Sequence, residues 1–152
     1  MAETTLTALP EGLFAQLQHE NFVLLHTVDA ESGSPTANAI SWIYAVDAGR
    51  LRFALDGRSR LIGNLKAHPD ISVTLFGGGS VHAVYGRASI VADKLEGVPF
   101  PLACVDLEIS AVRDAMFYGA RLSVLPEYEK TYDKRAADRL DGQVFDAMKK
   151  AQ

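Results

Sequence analysis

The residues best suited to chemistry lie in one stretch, Asp56 to Phe76 (DGRSRLIGNLKAHPDISVTLF). Arg58, Ser59 and Arg60 gather where a strand pattern ends and a helical pattern begins. The first turn of a helix has free backbone N–H groups and the positive end of the helix dipole, so it attracts anions. Two guanidinium groups and a hydroxyl add donors suited to a phosphate, each charge-assisted bond contributing about 1.5–3 kcal/mol. The plainer reading is a solvated turn with ordinary surface arginines. Other familiar constellations are missing. No Gly-x-x-x-x-Gly-Lys-Ser/Thr phosphate loop occurs, and Gly77, Gly78 and Gly79 lie between two strand patterns instead of opening a helix. His19, His26, His68 and His82 are scattered, with no HExxH or paired Cys/His spacing, so no metal site is expected. Cys104, the lone cysteine, falls in or beside a strand pattern and reads as a buried, inert thiol.

The elements that must position these residues follow from periodicity. Leu9 to His19 reads as a short helix, with Pro10 near its start and Leu13, Phe14 and Leu17 on one side. Phe22 to Val28 reads as a strand ending in the turn-forming cluster Asp29 to Pro35. Ala37 to Val46 alternates as the next strand, and Asp47 to Gly49 turns tightly into Arg50 to Leu55. These three strands predict an antiparallel meander. Ser59 to Ala67 suits a two-turn helix, with Ser59 as N-cap and Pro69 preventing its continuation. Strands follow at Ile71 to Phe76, Val81 to Val91 and Cys104 to Ser110, the last with one buried face. Gly86 marks a bulge or a close approach of another group. From Asp133 to Lys150 a charged amphipathic helix carries Ala137, Leu140, Val144, Ala147 and Met148 as its apolar stripe. Gly142 inside it hints at a close contact. The expected fold is mainly β, a six-stranded antiparallel split β-barrel with flanking helices, in one domain over residues 1–152.

Composition bounds the functions available. Apolar residues make up 48% and charged residues 22% of the 152, which excludes wholesale disorder. A net charge of −4 argues against a broad nucleic-acid surface while leaving room for a local basic pocket. The start, MAETTLTALPEG, lacks the basic and apolar regions of a secretory signal, and no apolar run approaches the roughly 20 residues of a membrane span. A single cysteine suits a reducing cytoplasm.

The order of several weak motifs is more telling than any one of them. Gly33-Ser34-Pro35 precedes a strand, Asp47 and Gly49 form a turn, and another strand leads to Ser59-Arg60, Asn64-Leu65 and His68-Pro69-Asp70-Ile71-Ser72-Val73. Over about residues 10 to 118 this order resembles the pyridoxamine 5′-phosphate oxidase-like family of FMN-binding split barrels. The resemblance implies a homodimer with FMN at the subunit interface. It implies that Arg60 and Ser59, with Arg58, hold the FMN phosphate. The strand Asn38, Ala39, Ile40, Ser41 and Trp42 would lie along the isoalloxazine ring, with Trp42 a candidate for stacking. Ala54 and Leu55 would run beside the ribityl chain and phosphate. His82 would approach from the second subunit, and Tyr118 would match a flavin-contacting tryptophan.

Departures from the family pattern narrow the expectation. Leu61 stands where many members have a lysine, and Leu55 where many have a threonine or serine. Phe117 to Leu122 resembles the F-W-x-G-G-x-x-R-L segment of true pyridoxamine phosphate oxidases with shortened spacing, and no H-D-R element follows. These differences argue against oxidation of pyridoxamine phosphate itself. The resemblance therefore implies an FMN-dependent oxidoreductase acting on another small molecule. Alternatives are a non-catalytic module for flavin, haem or deazaflavin, or a stress-related dimer with a degenerate site; haem would call on His82 or His26 as axial ligand.

Overall fold

A computed structural model describes residues 5–151. Its elements in chain order are β1 (Thr5–Leu6), α1 (Glu11–Gln16), β2 (Val23–Val28), β3 (Pro35–Ile40), β4 (Ile43–Asp47), β5 (Arg50–Asp56), α2 (Arg60–Ala67), β6 (Asp70–Gly77), β7 (Ser80–Ala92), β8 (Leu102–Asp114) and α3 (Lys134–Lys150). All pairings are antiparallel, in the order β3-β2-β6-β7-β8-β5-β4, with β1 added to β8. The mainly β, split-barrel expectation holds, with eight strands in place of six. No helix among the described residues is long and apolar enough to cross a membrane.

The additional strands are β1 and the product of a break in the expected Ala37–Val46 strand. That segment divides at Ser41 and Trp42, where the Ile43 N–H bonds back to the Ser41 carbonyl at 3.0 Å and Trp42 accepts from the Ala54 N–H at 3.0 Å. The expected three-strand meander is consequently two separate hairpins, β2–β3 and β4–β5, at opposite ends of the strand order. Alternation persists through the break, so periodicity alone could not reveal it. The chain's crossing from one end of the sheet to the other is what splits the barrel.

The barrel interior is filled by Leu25, Ile43, Leu51, Phe53, Val73, Leu75, Val84 and Leu107, all fully buried. Burying a side chain such as Phe53 stabilises the fold by roughly 1.5–3 kcal/mol. A second apolar cluster lies outside the barrel, where Val144, Ala147 and Met148 of α3 meet Tyr44, Ala54, Leu102 and Cys104. Both faces of β5 and of the first half of β8 are therefore covered, whereas alternation in β8 had predicted one. Burial pushes the Cys104 thiol up to about 11, which suppresses its thiolate.

Polar contacts decide where α3 docks. Asp133 caps its start by accepting from the Ala136 N–H at 2.9 Å. At its other end Arg52 of β5 donates through Nη1 to the carbonyls of Met148 and Ala151, each at 2.9 Å. The same guanidinium grips Asp106 of β8 at 2.6 and 3.0 Å. Midway, Lys130 bridges Glu20 at 2.9 Å and Asp141 at 3.1 Å, and Asp141 accepts from the Trp42 indole N–H at 2.9 Å. Gly142 makes no close contact: a Cβ there would meet nothing within 4 Å, because the residue faces outward. Gly86 does, since a Cβ would lie 2.1 Å from the Glu108 carbonyl oxygen at the bulge in β7.

Candidate functional site

The site is built from the β2–β3 turn and the start of α2. Asp29 directly follows β2 and organises the turn. Its Oδ2 accepts from the backbone N–H groups of Ser32 at 2.9 Å and Glu31 at 3.2 Å. Gly33 takes the left-handed conformation, with φ 73°, that lets the chain reverse toward Pro35. The N-cap expected at Ser59 is present, its Oγ accepting from the Leu61 N–H at 3.1 Å.

Asn64, only 2% exposed, stitches these two pieces together. Its Oδ1 accepts from the Ala30 N–H at 2.9 Å and its Nδ2 donates to Thr27 Oγ1 at 3.1 Å. Thr27 in turn meets the Thr36 hydroxyl at 2.6 Å. Both ends of this buried amide are thus engaged by the turn and β2, which fixes α2 against the hairpin. Arg60 is then brought over the turn, where its Nη2 donates to Asp29 Oδ1. The Ser32 N–H and the Arg60 guanidinium hold the Asp29 carboxyl down to about 2.

Between turn and helix lies a cleft of about 720 Å³ whose walls include Asp29, Thr36, Asn38, Ser59, Arg60 and Asn64. Three residues singled out from the sequence, Asn38, Ser59 and Arg60, meet there. Arg58 does not line it. It turns back on Asp56, donating through Nε and Nη2 at 3.0 Å each, and so lowers that carboxyl. Ala39 is exposed, Ile40 packs against the barrel core, and Ser41 donates to Glu20 at 3.4 Å. Trp42 is half-buried against Phe100 with its N–H on Asp141, and Ala54 and Leu55 are buried. His82 on β7 pairs with the Gly77 carbonyl at 3.0 Å, and Tyr118, 92% exposed, lies between β8 and α3. None of these is on the cleft wall of the single chain.

Sequence reasoning passed over Asp29, Thr36 and Asn64 as site residues. Asp29 read as a turn former and Asn64 as part of a motif; their shared work depends on contacts more than thirty residues apart in sequence. Ser80, His82 and Asp114 are neighbours on β7 and β8, but Ser80 donates directly to Asp114 at 2.7 Å. They do not form a hydroxyl–imidazole–carboxylate relay. Among the described residues no group of three or more His, Cys, Asp or Glu side chains could hold a metal ion.

An antiparallel sheet split between two outer hairpins, with a polar cleft at the start of α2, defines a split-barrel protein. The family model for pyridoxamine 5′-phosphate oxidase matches residues 9–104, and the chain belongs to this pyridoxamine 5′-phosphate oxidase-like family. Three solved structures show the same fold. A Lactobacillus delbrueckii protein assigned to the pyridoxamine 5′-phosphate oxidases is 21% identical, with a TM-score of 0.60 over 74% of this chain and 98% of that one. An F420 reductase is 20% identical, with a TM-score of 0.58 over 68% and 98%. General Stress Protein 26 from Bacillus anthracis is 15% identical, with a TM-score of 0.54 over 68% and 92%. No curated protein matches the sequence. The segment after residue 104, including α3, lies beyond the family match.

Proposed function

We propose that this protein is a homodimeric, FMN-binding oxidoreductase that acts on a small molecule in the cytoplasm. The observation that carries this reading is the meeting of Arg60, Ser59 and Asn38 on one cleft of a family member. The donor set fits a phosphate ester in kind. Arg60 keeps most of its N–H donors after the bond to Asp29, and its side chain is 77% exposed. Ser59 accepts from Leu61, which leaves its own hydroxyl hydrogen available. Along the opposite wall, β3 pairs among the described residues only with β2, so its outer edge can offer backbone groups to a planar ring.

In this reading Arg60 and Ser59 bind the phosphate, and Asn38 with the β3 backbone orients the ring. Residues Leu61 and Leu55, where relatives carry polar groups, serve the apolar core instead. His82 and Tyr118, absent from the cleft of one chain, would act on the ring or substrate across the dimer. Bound flavin supplies the hydride or electron transfer, which accounts for a site without an acid–base dyad or nucleophile.

Purified protein should be yellow, show a flavin spectrum and release FMN on denaturation. Arg60→Ala should weaken FMN binding at least tenfold, since it removes the charged phosphate donor. A colourless protein whose stability and added FMN fluorescence are both unchanged on mixing would end the proposal. A deazaflavin is the second reading, raised by the fold shared with F420 reductase. Its distinct absorption band, or a Soret band for haem, would appear in the same spectrum.

A further inference from the structure

We infer that Asp29 is a built-in competitor for the cofactor phosphate: its carboxylate occupies donors of Arg60 and so sets how strongly the cleft favours a phosphorylated over an unphosphorylated ligand. The inference rests on the flavin reading above and adds a charge-selecting residue to that site.

Three features carry it. First, Asp29 is not a free side chain that can swing away. The Ser32 and Glu31 amides hold Oδ2, which leaves Oδ1 aimed at Arg60. Its side chain is only 10% exposed, whereas that of Arg60 is 77% exposed. Second, among the described residues Arg60 is the only basic side chain on the cleft wall, and Glu31 adds a second carboxylate there. The wall thus carries more negative than positive formal charge before any ligand enters. Third, Arg58, the other guanidinium in reach by sequence, is committed to Asp56. An incoming phosphate must therefore share Arg60 with a fixed carboxylate a few ångströms away, or draw the guanidinium off it. Repulsion from that carboxylate scales with ligand charge, so it discriminates against a phosphate and leaves an uncharged ring and ribityl chain untouched.

Asp29→Asn is the decisive substitution. The amide oxygen can still accept from Ser32 and Glu31, keeping the turn, while the amide NH₂ faces Arg60 donor to donor and releases it. Dissociation constants for FMN and riboflavin, measured by flavin fluorescence on the wild type, Asp29→Asn and Arg60→Ala, separate phosphate from ring binding. The expected result is about tenfold tighter FMN binding by Asp29→Asn with riboflavin unchanged. If Asn at this position fails to hold the turn, Asp29→Ser, whose hydroxyl can accept from the Ser32 N–H, should shift the affinity in the same direction.

Unchanged or weaker FMN binding by the folded Asp29 variants, with Arg60→Ala still impaired, would overturn the inference and leave the flavin reading standing. Asp29 would then be a residue that orients Arg60. Equal FMN affinity in Arg60→Ala and wild type would remove the phosphate assignment and this inference with it. Failure of both flavins to bind wild type and Asp29 variants alike would overturn both readings.

Discussion

At the scale of single residues, the cleft is governed by a carboxylate held ionised far into the acid range. The Asp29 carboxyl is lowered from 3.8 to about 2, chiefly by the Ser32 amide and then by Arg60. Because the native value lies below the unfolded one, the native state binds fewer protons between them. The resulting stability is fully present above pH 3.8 and disappears as pH falls through about 2. Asp29→Asn should accordingly lose stability at neutral pH and show a shallower decline on acidification, its unfolding curve converging with that of the wild type near pH 2. Denaturant titrations across this range check it; parallel curves would show that the turn does not depend on the charge.

At the scale of elements, two buried polar side chains join pieces that hydrophobic pattern alone would leave adjustable. Asn64 ties α2 to the β2–β3 turn, and Asn64→Leu would remove the side-chain acceptor of the Ala30 N–H and one partner of the Thr27 hydroxyl, which keeps its bond to Thr36. A cost of about 1–3 kcal/mol is expected for the two lost hydrogen bonds together, with weakened FMN binding as Ser59 and Arg60 lose their placement over the turn. Arg52 performs the corresponding task for α3. Arg52→Met should cost about 3–5 kcal/mol, because it leaves Asp106 buried without its closest partner and takes the guanidinium donor from the Met148 and Ala151 carbonyls. Replacing Asp106 by Leu in the same chain should recover much of that loss, an outcome that thermal or denaturant unfolding reads directly. Flavin affinity should change little in the double variant, since the pair lies on the α3 side of the barrel.

At the scale of the whole molecule, the distribution of apolar surface points outward from one segment. Between β8 and α3 the side chains of Phe117, Tyr118 and Val124 are 72%, 92% and 76% exposed. Such a concentration is costly in water unless another surface covers it, and a second copy is the partner the proposed function requires. Light scattering at micromolar concentration should give twice the chain mass of 16.5 kDa, and Phe117→Asp with Tyr118→Asp should shift the population toward monomer. A monomeric wild type would contradict the shared-site reading.

What depends on near neighbours is legible in the order of residues alone. Ser59 caps α2, Asp133 precedes α3, Gly86 marks the bulge and the Asp29–Pro35 cluster makes a turn, because capping, φ preference and strand alternation act within a few residues. The mainly β class and the family were legible for the same reason: they are the sum of such local signals in order. Tertiary structure alone decided where the chain breaks at Ser41 and Trp42, since alternation continues through the break and only the competing partners β2 and β5 pull its halves apart. It also decided that α3 lies on its own barrel and that Arg60 faces Asp29 while Arg58 faces Asp56. Two arginines separated by a single serine look alike in sequence, and the difference between them arises from a buried asparagine that brings a distant turn beneath only one.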